Sequence, residues 1–187
     1  MYICQFCLWI TKIILKMIKS SIMRILGIDP GFERLGIAVL EKADKTIFVS
    51  SFAQGSGAPK KEQVIFSECF KTSAKLEFSE RLNLIGREVR KIIKEYKPEV
   101  LAIETLFLNT NQKTVMRVAE ARGVVTYEAS LAGLRIFEAS PPQIKIATTG
   151  DGRANKTQMM KMVKILVKMD KTKTSDDEMD AIAIALT

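Results

Sequence analysis

MRILGIDPGFERLGIAVLE, residues 23–41, is the stretch from which the architecture can be read outward. Arg24 to Asp29 is a short apolar run closed by Pro30-Gly31, the pattern of a strand that ends in a tight turn. Leu35 to Leu40 is a second run of strand length, and Thr46 to Ala53 a third beyond the polar Glu41 to Lys45. Three close-spaced runs joined by short turns predict an antiparallel meander. Gly55, Gly57 and Pro59 then break the pattern.

Downstream the period changes. Leu82, Ile85, Val89, Ile92 and Tyr96 recur three to four residues apart with charges between them, which predicts a helix ended by Lys97-Pro98. Val100 to Ile103 is a continuous apolar run suited to a strand buried on both faces. A second helix fits Thr114 to Leu131 and stops at Gly133; Leu134 to Ala139 reads as a strand ended by Pro141-Pro142. Lys156 to Met169 reads as a helix. The final helix begins legibly: Ser175 with Glu178 three residues on is a capping box, and Met179, Ile182, Ala183 and Leu186 follow at helical spacing. Three strands, then helices alternating with strands, predict an α/β fold: a mixed sheet, antiparallel first and parallel after, flanked by helices.

A chain of 187 residues suits a single domain able to bury its own core. The formal charge of +8 is unevenly spread. From Lys145 to Lys173 eight basic residues face only Asp151 and Asp170, a local charge of +6, and Ser175 to Asp180 then carries four acids and no base. A basic stretch alone can simply solvate a surface; one that abuts an acidic cluster suits a polyanion held with metal. The chain has no histidine, which excludes Ser-His-Asp triads, Cys-His dyads and His-ligated zinc. Cys4, Cys7 and Cys69 form no disulfide framework and suit a reducing, cytoplasmic setting. The Cys4-x-x-Cys7 pair lacks a second pair or a βαβ context, so neither zinc nor redox chemistry is expected there.

Residues 1–22 read differently from the rest. Charges at Lys12, Lys16 and Lys19 interrupt the apolar run too early for a bilayer span, and they follow it where a signal peptide would place them before. An amphipathic appendage, a targeting leader and upstream sequence joined by a wrongly chosen start codon all fit, the last best, because Met23 opens a clean strand. The expected division is an extension over 1–22 and a catalytic domain over 23–187.

The chemistry rests on carboxylates. Asp29 ends the first strand and Glu104 follows the strand Val100 to Ile103. If those strands are parallel neighbours, both acids emerge at the carboxyl edge where open α/β sheets bind ligands. Asp177 and Asp180 lie three apart in the first turn of the last helix, hence on one face. Taken singly, Asp29 reads more readily as a turn residue, and Asp177 and Asp180 as acids that compensate the helix dipole. Glu104 is harder to dismiss, because a carboxylate closing a buried strand is costly without a partner. Together, and with no basic neighbour, the four would repel one another, and divalent metal would relieve the repulsion. An all-oxygen donor set selects magnesium or manganese. Two ions about 3.5–4 Å apart could activate water and stabilise the leaving oxygen of a phosphoryl displacement. Phe107 leaves the same edge and reads either as a base-stacking aromatic or as a plug under the loop. Lys145 and Lys156 flank the stretch Thr148 to Asn155, whose Gly150 and Gly152 permit close approach of a phosphate chain.

Taken together, these segments resemble the RuvC family of Holliday-junction resolvases. MRILGIDPGFERLGIAVLE resembles its opening strand pair, and LAIETLF followed by AEARGVV its second catalytic strand and next helix. PPQIKIATTGDGRANKTQM is similar to its DNA-contacting segment, which here includes Arg153, and DDEMDAIAIAL to its final acidic helix. The four segments occur in the family's order from Met23 to Thr187. The resemblance implies a ribonuclease H-like fold, a homodimer, and magnesium-dependent paired nicks across a four-way DNA junction during recombination and repair, with a branch-migration motor as a further partner and no membrane. It carries over Asp29, Glu104, Asp177 and Asp180 as metal-binding catalytic acids and Phe107 as the aromatic that engages bases. Lys145 and Lys156 become the lysines near the scissile phosphate. Residues 1–22 depart from the family pattern. Two other readings stand beside this one: an actin-like nucleotide phosphotransferase, which would hydrolyse ATP without DNA, and a structure-selective DNA-binding module without nuclease activity.

Overall fold

A computed structural model describes residues 22–43, 62–106, 112–171 and 173–187. Strands β1 (Ile22–Asp29), β2 (Arg34–Ala43) and β3 (Glu62–Lys71) come first, then helix α1 (Phe78–Tyr96), β4 (Val100–Glu104) and α2 (Gln112–Leu131). They are followed by β5 (Arg135–Ala139), α3 (Pro141–Thr149), α4 (Lys156–Leu166), β6 (Val167–Lys168) and α5 (Asp176–Leu186). The six strands form one sheet in the order β5-β4-β1-β2-β3-β6. β1 to β3 are antiparallel neighbours, whereas β4 runs parallel to β1, β5 to β4 and β6 to β3. This is the mixed sheet expected, with the crossovers through α1 and α2 placing β4 beside β1 and β5 beside β4.

Alternation along the strands sorts the core into two layers. Leu26, Ile28, Leu35, Ile37, Leu101 and Ile103 face α1 and α2, where Ile85, Val89, Ile92 and Val125 meet them. Ile25, Ala38, Leu40 and Ala102 face the other way, toward α5 and the α3–α4 pair. Parity then puts Asp29, two residues past Gly27, and Glu104, two past Ala102, on the α5 side. That layer is thin where α5 crosses the sheet. A Cβ at Gly27 would stand 2.3 Å from the Ala181 carbonyl oxygen, and one at Gly36 would stand 2.2 Å from that of Asp177. Only glycine lets the helix approach so closely.

Two expectations need correction, and a third falls outside the described residues. The strand placed at Thr46 to Ala53 lies outside the described residues, and the third strand seen is Glu62–Lys71. Its alternation is blurred because the β2–β3 register shifts between Val39 and Leu40, where Val39 pairs with Phe66 and Leu40 with Val64. Pro141-Pro142 ends β5 but also opens a helix: proline is tolerated in the first turn, and Gln143 accepts a hydrogen bond from the Ser140 backbone N–H at 2.8 Å. Thr148 and Thr149 therefore belong to α3, and the connecting loop is 150–155, entered through Gly150 at φ 79°. Finally, α4 ends at Leu166, and Val167–Lys168 pairs with β3 as a short strand.

Candidate active site

β1 and β4 are paired as far as Ile28 and Ile103, so Asp29 and Glu104 leave the sheet side by side at its carboxyl edge. Across the edge lies the first turn of α5. Ser175 caps it, accepting from the Glu178 backbone N–H at 3.3 Å, and thereby fixes the direction in which Asp176, Asp177 and Asp180 leave the helix. A cavity of about 320 Å³ opens between these elements and α3–α4, and Asp29, Glu104, Asp180, Lys145 and Lys156 all line it. Five of the residues expected at a site thus meet around one space.

Their electrostatics are those of crowded acids. Burial, and then the carboxylates of Asp180, Glu104 and Asp177, raise the Asp29 pKa from 3.8 to about 7, although Lys156 pulls the other way. Burial and Asp180 likewise raise Glu104. Asp180 is raised by burial, with Lys156 opposing. The expectation of no basic neighbour is therefore incorrect. The Lys156 ammonium lies 3.2 Å from Asp176 and 3.4 Å from Asp180; burial pulls its pKa down, but the two carboxylates together outweigh it and hold the group above its ordinary value.

Asp177 behaves differently. Its Oδ2 accepts from the Arg34 guanidinium and from the Cys69 thiol at 3.2 Å, on the β3 side of Gly36, and it does not line the cavity. Burial would raise its pKa, but the bonds from Cys69 and Arg34 outweigh it and hold the carboxyl below its ordinary value. Arg153 is exposed on the loop 150–155, where its backbone N–H donates to Asp151 Oδ1 at 2.9 Å. Phe107 lies outside the described residues.

Sequence reading missed Arg34, Cys69 and Arg122. Arg122 Nε donates to the Glu104 carbonyl at 3.1 Å while its guanidinium pairs with Glu138 at 2.7 Å, tying the ends of β4 and β5 to α2. No spacing rule marks these residues. A strand register would have done so for Cys69, because Asp29 pairs with Gly36 and Gly36 with Cys69.

Among the described residues, no three acidic or thiol groups are already drawn together as a chelating set. The donor chemistry nevertheless fits a hard divalent cation: all oxygen, mutually repelling, with Asp29 unable to ionise at its ordinary pH without compensation.

A mixed sheet that gathers acids from its first strand, its fourth strand and a C-terminal helix defines a ribonuclease H-like nuclease. More narrowly, the chain belongs to the crossover junction endodeoxyribonuclease RuvC family, whose model matches residues 25–187. It is 40% identical over 164 residues to the RuvC of Halothermothrix orenii, covering 88% of this chain and 90% of that protein. It is also 40% identical over 163 residues to the RuvC of Thermosipho melanesiensis, covering 87% and 94%. Among solved structures it resembles Thermus thermophilus RuvC in complex with its Holliday junction substrate, with a TM-score of 0.73 at 29% identity, covering 88% of this chain and 91% of that one. Neither the phosphotransferase nor the nuclease-free binding module finds support in these relatives. No helix among the described residues is long and apolar enough to cross a membrane.

Proposed function

We propose that the chain resolves Holliday junctions by metal-dependent hydrolysis of DNA phosphodiesters, with Asp29, Glu104, Asp177 and Asp180 as the metal-binding acids. The observation that carries this reading is the single cavity in which Asp29, Glu104 and Asp180 face Lys145 and Lys156. Magnesium, or manganese in its place, would be held by the acids, two ions to a site, and would supply Lewis-acid activation of water and offset charge on the leaving oxygen. The protein's own contribution is placement. Asp29 and Glu104 are fixed by the paired strands, and Asp180 is fixed by a helix whose body is core. Lys145 and Lys156 reach the same space from the opposite wall, where ammonium groups neutralise charge developing on the phosphate. Arg153 on the adjoining loop contacts the DNA backbone, and Phe107 stacks on an opened base at the junction.

Residues 23–187 carry the nuclease domain, and Ile22, expected in the extension, already belongs to β1 through its pairing with Ala43. The protein works in the cytoplasm as a homodimer that offers two sites to a nearly twofold junction, and a branch-migration motor supplies that junction. The test is cleavage of a four-way junction against linear duplex, with magnesium and with chelator, for the wild type and Asp29→Asn. Paired nicks only in the junction, only with metal and only in the wild type are expected. Undiminished cleavage by a clean Asp29→Asn preparation overturns the assignment.

A further inference from the structure

We propose that Arg34 is a positioning residue: it latches Asp177 outside the carboxylate cavity, and divalent metal enters fully only as Asp177 exchanges Arg34 and Cys69 for the ion. The inference rests on the reading of the acids as metal ligands and adds a step to it.

The geometry is set by three residues in a row across the sheet. Asp29 on β1 pairs with Gly36 on β2, and Gly36 pairs with Cys69 on β3. Neighbouring strands lie about 4.8 Å apart, so Asp29 and Cys69 stand on opposite sides of Gly36 at similar distances. Asp177 sits over the middle of that row, its main-chain oxygen occupying the space a Gly36 side chain would take. Its backbone is thereby pinned, and its carboxylate can lean toward β3 or toward β1. It leans toward β3, where Oδ2 takes both the Arg34 guanidinium and the Cys69 thiol. A side-chain rotation would bring it toward Asp29 without moving α5.

Charge explains the resting choice. Asp29, Glu104 and Asp180 already share one cavity, and a closer Asp177 would crowd a fourth carboxylate against them. Arg34, at the first position of β2 and with a side chain 55% exposed, offers a cation that costs little to bring there. Metal in the cavity reverses the balance, because it rewards convergence that bare carboxylates resist. The Arg34 pair then competes with metal binding. A purely structural staple between β2 and α5 would not.

The experiment is calorimetric titration of the chelator-treated full chain with Mn²⁺, without DNA. Arg34→Gln should bind Mn²⁺ about fivefold more tightly, the scale of one partly exposed ion pair, and Arg34→Lys should stay near the wild type. Removing a positive charge could tighten cation binding with no latch at all, so the same change is made in an Asp177→Asn background. If Arg34 acts through Asp177, its substitution there has no further effect. An unchanged or weaker affinity in Arg34→Gln overturns the latch, and so does an equal gain in both backgrounds. If wild-type protein takes up no Mn²⁺, the metal-site reading falls and the latch with it; uptake that ignores Arg34 removes the latch alone. Thermal melts of each variant identify any that fails to fold, and Arg34→Met, which keeps the length and removes the charge, replaces Arg34→Gln with the same expected gain if that one does.

Discussion

In metal-free protein the Asp29 carboxyl keeps its proton to about pH 7, against an ordinary value of 3.8, because burial and three neighbouring carboxylates disfavour its charge. The unfolded chain releases the same proton near 3.8. Between those values the native state binds the extra proton, so stability falls as pH rises through the window and stays reduced above it. At about 1.4 kcal/mol for each factor of ten, the loss is about 4 kcal/mol, a large share of a domain's stability. Asp29→Asn keeps the shape, carries no charge at any pH and removes that loss. Glu104 and Asp180 are raised too and leave some slope in both proteins. Asp177 and Glu178 are held below their ordinary values, so their contribution is lost only as pH falls into the acid range. The assay is urea unfolding in chelator at about pH 5 and about pH 8, which spans about two of the pH units below the Asp29 value, so the wild type should lose about 2.7 kcal/mol more than the variant between the two. Magnesium at the higher pH should restore the wild type and leave Asp29→Asn nearly unmoved. Equal losses in the two proteins would refute the placement of Asp29 in a crowded acidic pocket.

Gly36→Ala drives a methyl group to 2.2 Å from the Asp177 carbonyl oxygen, so it should cost about 1–3 kcal/mol in a thermal melt and lower cleavage by displacing the first turn of α5. Lys156→Gln removes ion pairs that are largely exposed, so stability should change by less than about 1 kcal/mol, while single-turnover cleavage falls about a hundredfold with junction binding retained. Phe107→Ala should weaken junction binding by about 1–3 kcal/mol in a gel-shift titration and leave the melt unchanged; a destabilised protein with intact binding would mark it as a plug under the loop.

Much of this arrangement was legible because local and tertiary signals agree. The Asp29 turn, the α1 periodicity, the buried run of β4 and the Ser175 capping box each specify one structure, and the structure has each of them. β3 was hidden for a physical reason. Only Val64 and Ser67 of its ten residues are buried, one of them polar, and a bulge upsets its pairing, so no period-2 pattern survives. Helix α3 was hidden by Pro141-Pro142, which signals a strand's end and a helix's start equally well. At the site, the acids stood out because charge at the end of an apolar strand is rare. Arg34 and Cys69 did not, because their meaning depends on a register across three strands, and pairing partners far apart in sequence leave no local trace.

The two walls of the cavity differ in how firmly they are held, and that difference bears on how the site works. The acidic wall is nearly all core: Met179, Ile182, Ala183 and Ala185 on α5 are buried against β1 and β2, and glycines at 27 and 36 bring the helix onto the sheet itself. The basic wall is shallower. α3 buries only Ile144 and Thr148, α4 only Val163, and the loop between them is anchored by the buried Ala154 and carries the exposed Arg153. Elements with few buried contacts open at low cost, whereas core helices open only with the whole domain. A rigid backbone beneath the acids leaves only their side chains to adjust, which limits the errors in spacing that a cation would not tolerate. A looser basic wall would suit the proposed reading, in which a bulky, branched polyanion has to enter before the lysines reach its phosphate. Metal geometry and substrate capture thus make opposite demands on stiffness, and the chain meets them by putting the carboxylates on the core and the lysines on its least anchored helices.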